Sequence, residues 1–225
     1  MALHVSLIRA VCFDIDGTLS DTDDLMVARF TRFLRPFHFL FPRQDPSQLS
    51  RRLVMSIEAP ANFLIGIPDL LGVDGPVAWL FGRINRTIGH KPRKSFLLVS
   101  GVREMLQTLS QRYPLAIISV RDAASTQAFL EQFDLLPFFK CIATAQTCAH
   151  TKPFPDPILW AAGQMEVPPE ACLMVGDTTV DMRAGHAAGA QTLGVLCGFG
   201  ERAELIKYGA DLIVESTAEV ALVLE

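Results

Sequence analysis

Residues 9–21 read RAVCFDIDGTLSD, an apolar run that passes directly into two aspartates and a glycine turn. A short run of this kind, without polar alternation, predicts a strand that is buried on both faces, as in a parallel sheet. Open parallel sheets bind their ligands beyond the carboxyl ends of their strands. Asp14 and Asp16 are therefore predicted to lie at an active-site edge of a sheet.

Five later runs have the same character, and each ends in a polar or glycine-bearing turn. They are LAIISV (115–120), FKCIATA (139–145), ACLMV (171–175), QTLGVLC (191–197) and ADLIV (210–214). Amphipathic segments at 102–112, 123–133, 157–165, 179–188 and 202–208 alternate with them and predict helices. The alternation predicts an α/β fold, a three-layer Rossmann-like core around a parallel sheet of five or six strands.

The stretch from about residue 22 to residue 93 separates the first two predicted strands and has the pattern of helices joined by loops. It is too long for a single crossover between neighbouring strands, and long insertions in compact folds are usually lids or small domains. We therefore predict a catalytic core formed by residues 1–20 and 95–225, with an inserted α-helical cap at residues 21–94.

Composition limits the class of protein and its partners. Half of the 225 residues are apolar and the formal net charge is −4, which predicts a folded protein with no nucleic-acid partner. The apolar amino-terminal stretch is interrupted by His4 and Arg9, so we predict neither a signal peptide nor a membrane segment. Five cysteines without a CxxC pair predict reduced thiols in a cytoplasmic protein.

Four aspartates follow two of the predicted strands. Asp14 and Asp16 follow the first strand, and Asp177 and Asp181 lie in GDTTVD after the fourth. If these two strands are neighbours, the carboxylates converge and repel one another unless a cation lies between them. Oxygen ligands of this kind suit a hard divalent ion, so we predict a Mg²⁺ site.

A phosphate group at such a site also needs positive charge and hydrogen-bond donors on its oxygens. Ser119, at the end of the second predicted strand, and Lys152, in the loop before the helix at 157–165, are placed to supply them. Either residue alone has a plainer interpretation, a hydroxyl bonded to its own backbone or a surface lysine. Only the ordered set favours phosphate chemistry.

The ordered set of DIDGTLSD, an apolar strand ending in Ser119, Lys152-Pro153 and GDTTVD resembles the four motifs of the haloacid dehalogenase-like hydrolase superfamily. The resemblance covers about residues 9–20 and 95–225. It implies that Asp14 is a nucleophile that forms an aspartyl-phosphate intermediate and also binds the metal. It implies that Asp16 is the general acid and base and gives its backbone carbonyl to the metal. The presence of Asp16 favours phosphatase over dehalogenase chemistry.

The resemblance also assigns the remaining motif residues. Ser119 and Lys152 match residues that orient the phosphate and stabilise the transferring group, Asp177 matches a direct metal ligand, and Asp181 a supporting acid. One position departs from the pattern. Val120, followed by Arg121-Asp122, stands where relatives with small substrates commonly have asparagine. The Val120 backbone N–H is still expected to contact the phosphate, whereas the contacts of this loop with the leaving group stay open.

The function that we predict is magnesium-dependent hydrolysis of a small phosphorylated metabolite. Two alternatives stay open, a phosphomutase of the same family and a non-catalytic binding module that kept the fold.

The pattern GFGERA at 198–203 fits a dinucleotide motif, but it follows the fifth strand and lacks the expected acidic partner, so we interpret it as a glycine turn beside the active site. For Asp181, a second interpretation stays open beside the role in supporting the metal, namely that it caps the helix that follows it.

Overall fold

The computed structural model describes residues 3–21 and 96–225. Within them, the six predicted strands are all present, each within a few residues of its expected bounds. They are β1 (Ala10–Phe13), β2 (Leu115–Ile118), β3 (Phe139–Ala143), β4 (Cys172–Gly176), β5 (Gln191–Val195) and β6 (Leu212–Val214). The predicted cap at residues 21–94 lies almost entirely outside the described residues and stays a prediction.

All six strands are parallel and form one sheet in the order β3-β2-β1-β4-β5-β6. β1 and β4 are neighbours, with Phe13 opposite Val175. The chain order reverses between these two strands, and it is at such a reversal that a crevice opens beyond the carboxyl ends. The residues that follow β1 and β4 therefore share one edge of the sheet.

Helices of the described segments cover both faces of the sheet. They are α1 (Val102–Leu109), α2 (Ala123–Gln132), α3 (Asp156–Met165), α4 (Thr179–Ala188), α5 (Arg202–Lys207) and α6 (Val220–Val223). Five of them match predicted segments. The short helix α6 and four single-turn 3₁₀ helices had no clear periodic signal, because fewer than two turns of chain show little periodicity.

The two faces of the sheet are packed differently. On one face, large side chains of the strands, such as Phe13 and Ile117, pack against buried residues of α1, α2 and α6. On the other face, smaller side chains such as Ala10, Cys12 and Ala116 pack against α3 and α4. A sheet with helices on both faces is the predicted three-layer α/β fold, which is thus confirmed.

The end of the first described segment and the start of the second lie next to each other. The Asp21 N–H donates to the Leu97 carbonyl over 3.0 Å, and the Val99 N–H donates to the Leu19 carbonyl over 2.9 Å. Ser20 and Leu98 form the antiparallel bridge between these segments. The two described segments are therefore joined directly beside the end of β1, and Met1–Thr22 with Phe96–Glu225 form one compact unit.

None of the helices in the described segments is long and apolar enough to cross a membrane. All five cysteines fall within these segments, and each has a free thiol.

Candidate active site

Lys152 lies between two buried carboxylates at the carboxyl edge of the sheet. Its Nζ is 2.7 Å from Asp14 Oδ1 and 2.6 Å from Asp181 Oδ1. Asp14 follows β1, Lys152 lies in the loop before α3, and Asp181 is in the first turn of α4. Three segments that are far apart in the sequence thus converge on one ammonium group, and removing Lys152 would leave two buried carboxylates without their cation.

Burial and neighbouring charges shift the pKa of Asp14 and of Lys152. The pKa of the Asp14 carboxyl is raised to about 7, because burial disfavours the ionised form and the Asp181 and Asp16 carboxylates add repulsion, while the Lys152 ammonium partly offsets them. Burial by itself lowers the pKa of Lys152, but Asp14 and Asp181 outweigh it, so the net shift is upward. Lys152 therefore stays charged. Further positive charge near Asp14 would favour the ionised form of the Asp14 carboxyl.

Asp177 is held from two sides. Its Oδ2 accepts a hydrogen bond of 2.9 Å from the Phe199 backbone N–H, and its Oδ1 accepts one of 3.3 Å from the Thr18 hydroxyl. Asp177 is completely buried. The loop after β5 and the turn after β1 therefore set the direction in which this carboxylate points.

Three carboxylates come close enough to share an ion. Asp14, Asp177 and Asp181 each offer one oxygen, and these oxygens lie within 4.8 Å of one another. The set contains only hard oxygen donors, which are the ligands that Mg²⁺ prefers. The residues present therefore fit the predicted magnesium site, and the lysine beside them leaves some of the carboxylate charge uncompensated.

Asp181 also has the helix-capping role that the sequence left open. Thr178 is the N-cap of α4, and Asp181 Oδ2 accepts from the Thr178 backbone N–H over 3.1 Å and from its hydroxyl over 2.6 Å. The other oxygen of Asp181 contacts Lys152. This carboxylate thus ties Lys152 to the start of α4, while its part in metal binding stays a prediction.

Asp16 points its carboxylate at Arg121, which the sequence did not identify as a site residue. The Nε of Arg121 donates to Asp16 Oδ2 over 2.6 Å, and an Nη nitrogen donates to Oδ1. The Asp16 side chain is one-third exposed, whereas that of Arg121 is only 8% exposed. A partly accessible carboxylate is thus fixed by a buried guanidinium at two points.

Two of the three predicted phosphate-binding residues, Ser119 and Val120, follow β2, which is the neighbour of β1. Ser119 is buried, and its Oγ accepts a hydrogen bond of 3.2 Å from the Arg121 backbone N–H. Val120 is 52% exposed at the same edge of the sheet. Asp122 caps α2 by accepting from the Ser125 N–H over 2.9 Å, so it is occupied in holding the helix.

Two later parts of the chain contact the backbone of the turn after β1. They are the loop at residues 197–200 and Thr217. The Thr217 hydroxyl donates to the Thr18 carbonyl over 2.6 Å, and the Cys197 thiol is 3.4 Å from the Gly17 carbonyl oxygen. Sequence reasoning placed a glycine turn here but did not identify the Phe199 N–H or Thr217 as partners. Only the glycine spacing at 198 and 200 pointed to this loop.

The sequence of this chain is similar to those of known proteins. The family model described as haloacid dehalogenase-like hydrolase matches residues 11–195. Pyrophosphatase PpaX of Anoxybacillus flavithermus is 29% identical over 220 residues, which are 96% of this chain and 97% of that protein. Pyrophosphatase PpaX of Bacillus pumilus is 28% identical over 229 residues, covering 99% of each chain.

Solved structures share the fold. A haloacid dehalogenase-like family hydrolase from Streptococcus pneumoniae superposes with a TM-score of 0.64 at 24% identity, covering 98% of this chain and 100% of that one. A hydrolase from Pseudomonas syringae gives a TM-score of 0.61 at 20% identity, covering 96% of this chain and 97% of that one. These likenesses confirm the three-layer architecture.

Proposed function

This chain belongs to the haloacid dehalogenase-like hydrolase family, and from that premise we propose that it hydrolyses phosphate monoesters of small metabolites with the help of Mg²⁺. The membership confirms the resemblance inferred from the motifs. The observation that carries the proposal is the meeting of three buried carboxylates with Lys152 beyond β1 and β4. Such a site combines a nucleophile, a cation and ligands for a metal.

Magnesium would be held by Asp14, by Asp177 and by the backbone carbonyl of Asp16, with Asp181 as a supporting acid. When bound, the ion supplies positive charge that offsets the carboxylates and polarises a phosphate oxygen. The raised pKa of Asp14 is consistent with this role, because a buried carboxylate that lacks sufficient positive charge is costly to ionise.

In the first half of the reaction, a carboxylate oxygen of Asp14 attacks phosphorus in line with the leaving oxygen. The bond from phosphorus to the leaving oxygen breaks, and Asp16 gives its proton to that oxygen. Lys152 holds Asp14 in place, and Ser119 and the Val120 backbone N–H orient the phosphate oxygens. The products of this half are the free alcohol and an aspartyl phosphate at Asp14.

In the second half, a water molecule attacks the same phosphorus and Asp16 accepts its proton. The bond between phosphorus and Asp14 breaks, and its electron pair returns to the Asp14 carboxylate. Asp16 therefore acts first as an acid and then as a base, so one group serves both steps. Inorganic phosphate leaves, and the chain returns to its starting protonation state.

The proposal includes a helical cap at residues 21–94 that excludes water before the substrate arrives and selects the leaving group. It also places the enzyme in the cytoplasm, where free thiols such as those of the five cysteines persist. The names of the curated relatives make inorganic pyrophosphate a substrate to be tested beside phosphomonoesters.

The test measures phosphate release from a panel of sugar phosphates, nucleotides, small phosphorylated acids and pyrophosphate, with Mg²⁺ or with EDTA. We expect turnover that requires Mg²⁺ and that is lost in Asp14→Asn. Asp134→Asn is the matched control, because Asp134 is an exposed residue of the α2–β3 connection, and asparagine tolerates its φ of 50°. Full activity of Asp14→Asn would refute the proposed nucleophile.

Two other outcomes would favour the alternatives. A phosphomutase would release little phosphate and would depend on a bisphosphate primer. A binding module would be stabilised by Mg²⁺ without turning over any member of the panel.

A further inference from the structure

Arg121 pairs with the carboxylate of Asp16, the residue that the proposed function uses for proton transfer. Its guanidinium donates one hydrogen bond to each oxygen of the Asp16 carboxylate, from Nε over 2.6 Å and from an Nη nitrogen. Paired bonds of this kind fix the plane of a carboxylate as well as its position, which a single bond or a lysine ammonium does not.

The guanidinium is itself held by aromatic side chains. Its central carbon lies 5.3 Å from the ring centre of Phe96 and 5.4 Å from that of Phe129. The two rings pack edge to face, with their centres 5.6 Å apart. A buried cation stacked on aromatic rings has few alternative rotamers, so Arg121 is a rigid support for its partner.

The backbone of Arg121 is tied to the site loops as well. Its N–H donates to Ser119 Oγ over 3.2 Å, and its carbonyl accepts from the Ala145 N–H over 2.9 Å. One residue thus connects the loops after β2 and β3 to the carboxylate that follows β1. Any shift of Arg121 is transmitted to Asp16 and to the predicted phosphate site together.

We infer that Arg121 is a positioning residue that aims the Asp16 carboxylate in both proton transfers, an inference that rests on the proposed phosphatase function. When Asp16 is ionised and accepts the proton of water, both hydrogen bonds from Arg121 persist. When Asp16 carries the proton that goes to the leaving oxygen, one of these bonds opens and the other keeps the carboxyl group in its orientation. No proton or electron is supplied by Arg121.

Two substrates separate this role from a merely structural one. The leaving group of p-nitrophenyl phosphate needs no proton, so transfer of the phosphoryl group from this ester to Asp14 does not depend on Asp16. The alkoxide that leaves from glycerol 2-phosphate does need a proton. Hydrolysis of the aspartyl phosphate depends on Asp16 with either substrate. A misaimed Asp16 therefore slows one step with the aryl ester and both steps with the alkyl ester.

The experiment compares wild type, Arg121→Met, Arg121→Lys and the control Arg103→Met by rapid quench with Mg²⁺. Arg103 is a suitable control because it also pairs with an aspartate, Asp134, but on the outer surface of α1 with 44% of its side chain exposed. Melting temperatures of the four proteins are recorded in parallel.

For Arg121→Met we expect a burst of about one p-nitrophenol per enzyme, followed by steady turnover lowered roughly 10²-fold, the usual cost of a misplaced catalytic group. With glycerol 2-phosphate we expect no burst and an equal or larger loss. Arg121→Lys should recover part of the steady rate, because an ammonium restores the charge without the paired geometry. Arg103→Met should behave as wild type.

Three results would overturn the inference. The first is steady turnover of Arg121→Met at the wild-type rate, and the second is turnover of this variant above the wild-type rate. The third is an equal loss of turnover with both substrates in Arg121→Met, with no burst of p-nitrophenol. If Arg121→Met does not fold, a lysine variant with the wild-type time course overturns it as well. If wild type releases no phosphate from any substrate, the proposed function itself fails, which is a separate outcome from a failure at Arg121.

Discussion

Replacing Gly198 by alanine should impair the site although it replaces none of the predicted site residues. A Cβ atom at this position would lie 2.1 Å from Asp177 Oδ2 and 2.6 Å from the Gly17 carbonyl oxygen. Cβ atoms in proteins essentially never lie within 3.0 Å of a non-bonded heavy atom, and ordinary van der Waals contact begins at 3.4 Å. The conflict lies with a completely buried carboxylate and with backbone, so neither can yield by a simple rotation into solvent.

The size of the effect follows from the displacement that is needed. Relief of the contact requires a movement of about 1 Å by Asp177 or by the loop, and a displacement of that order at an active site costs about 10²-fold in turnover. Movement of Asp177 also strains its hydrogen bond from the Phe199 N–H. Loss of such a supporting contact lowers metal affinity by about 10- to 100-fold. Overpacking should reduce the free energy of unfolding by about 1–3 kcal/mol.

The assay combines a magnesium titration by calorimetry with steady-state phosphate release. Gly163→Ala is the matched control, because a Cβ atom there would meet nothing within 4 Å and Gly163 lies within α3. Alanine in that helix should raise the free energy of unfolding by about 0.5–1 kcal/mol and leave magnesium affinity unchanged. Both variants make the same chemical change, and only one of them makes it beside Asp177.

Wild-type magnesium affinity and turnover in Gly198→Ala would refute the reasoning. That result would mean either that Asp177 does not bind the metal or that the loop moves away at no cost. Equal losses in Gly198→Ala and Gly163→Ala would also refute it, since the effect would then not depend on the contact with Asp177.

Three other predictions concern the same cluster. Lys152→Met should lower the free energy of unfolding by about 3–5 kcal/mol in urea, because Asp14 and Asp181 lose their buried cation; a loss below about 1 kcal/mol would contradict this. Thr217→Val should cost about 1–3 kcal/mol in the same assay, since the Thr18 carbonyl loses a buried donor, and an unchanged urea midpoint would contradict it. The raised pKa of Asp14 predicts a pH-dependent contribution of this residue to the free energy of unfolding in the absence of metal. The contribution is fully present below pH 3.8 and is lost as the pH rises through about 7, because Asp14 ionises at lower pH in the unfolded chain than in the folded one. The proposed magnesium site requires the ionised form of Asp14, so the rise in melting temperature on adding Mg²⁺ should grow from pH 5.5 to pH 8.5 and should not do so in Asp14→Asn.

The strands could be predicted because each is a short apolar run that stays buried on both faces. Three of the predicted strands are two residues too long at the carboxyl end, as at residues 119 and 120, where the chain leaves the sheet to form the site loop. Apolar residues at a strand end look alike whether they pair with a neighbour or turn away from it. Hydrogen bonding to the adjacent strand decides the boundary, and that partner is distant in the sequence.

Arg121 shows why part of the site could not be predicted. Its partner Asp16 lies 105 residues earlier, and the rings that flank it come from the segment before α1 and from α2. No local spacing relates these positions. An arginine after a strand has the same sequence pattern whether it faces solvent or a buried carboxylate.

The amino-acid sequence by itself determined the kinds of element, their order and the side chains that follow each strand, because hydrophobic periodicity and turn chemistry are local properties. Tertiary structure alone decided that β4 lies beside β1, which brings Asp177 to Asp14. It also decided that Lys152 is shared by Asp14 and Asp181 and that Arg121 holds Asp16. Such pairings depend on which strands are neighbours and on burial, and those follow from the packing of the whole chain.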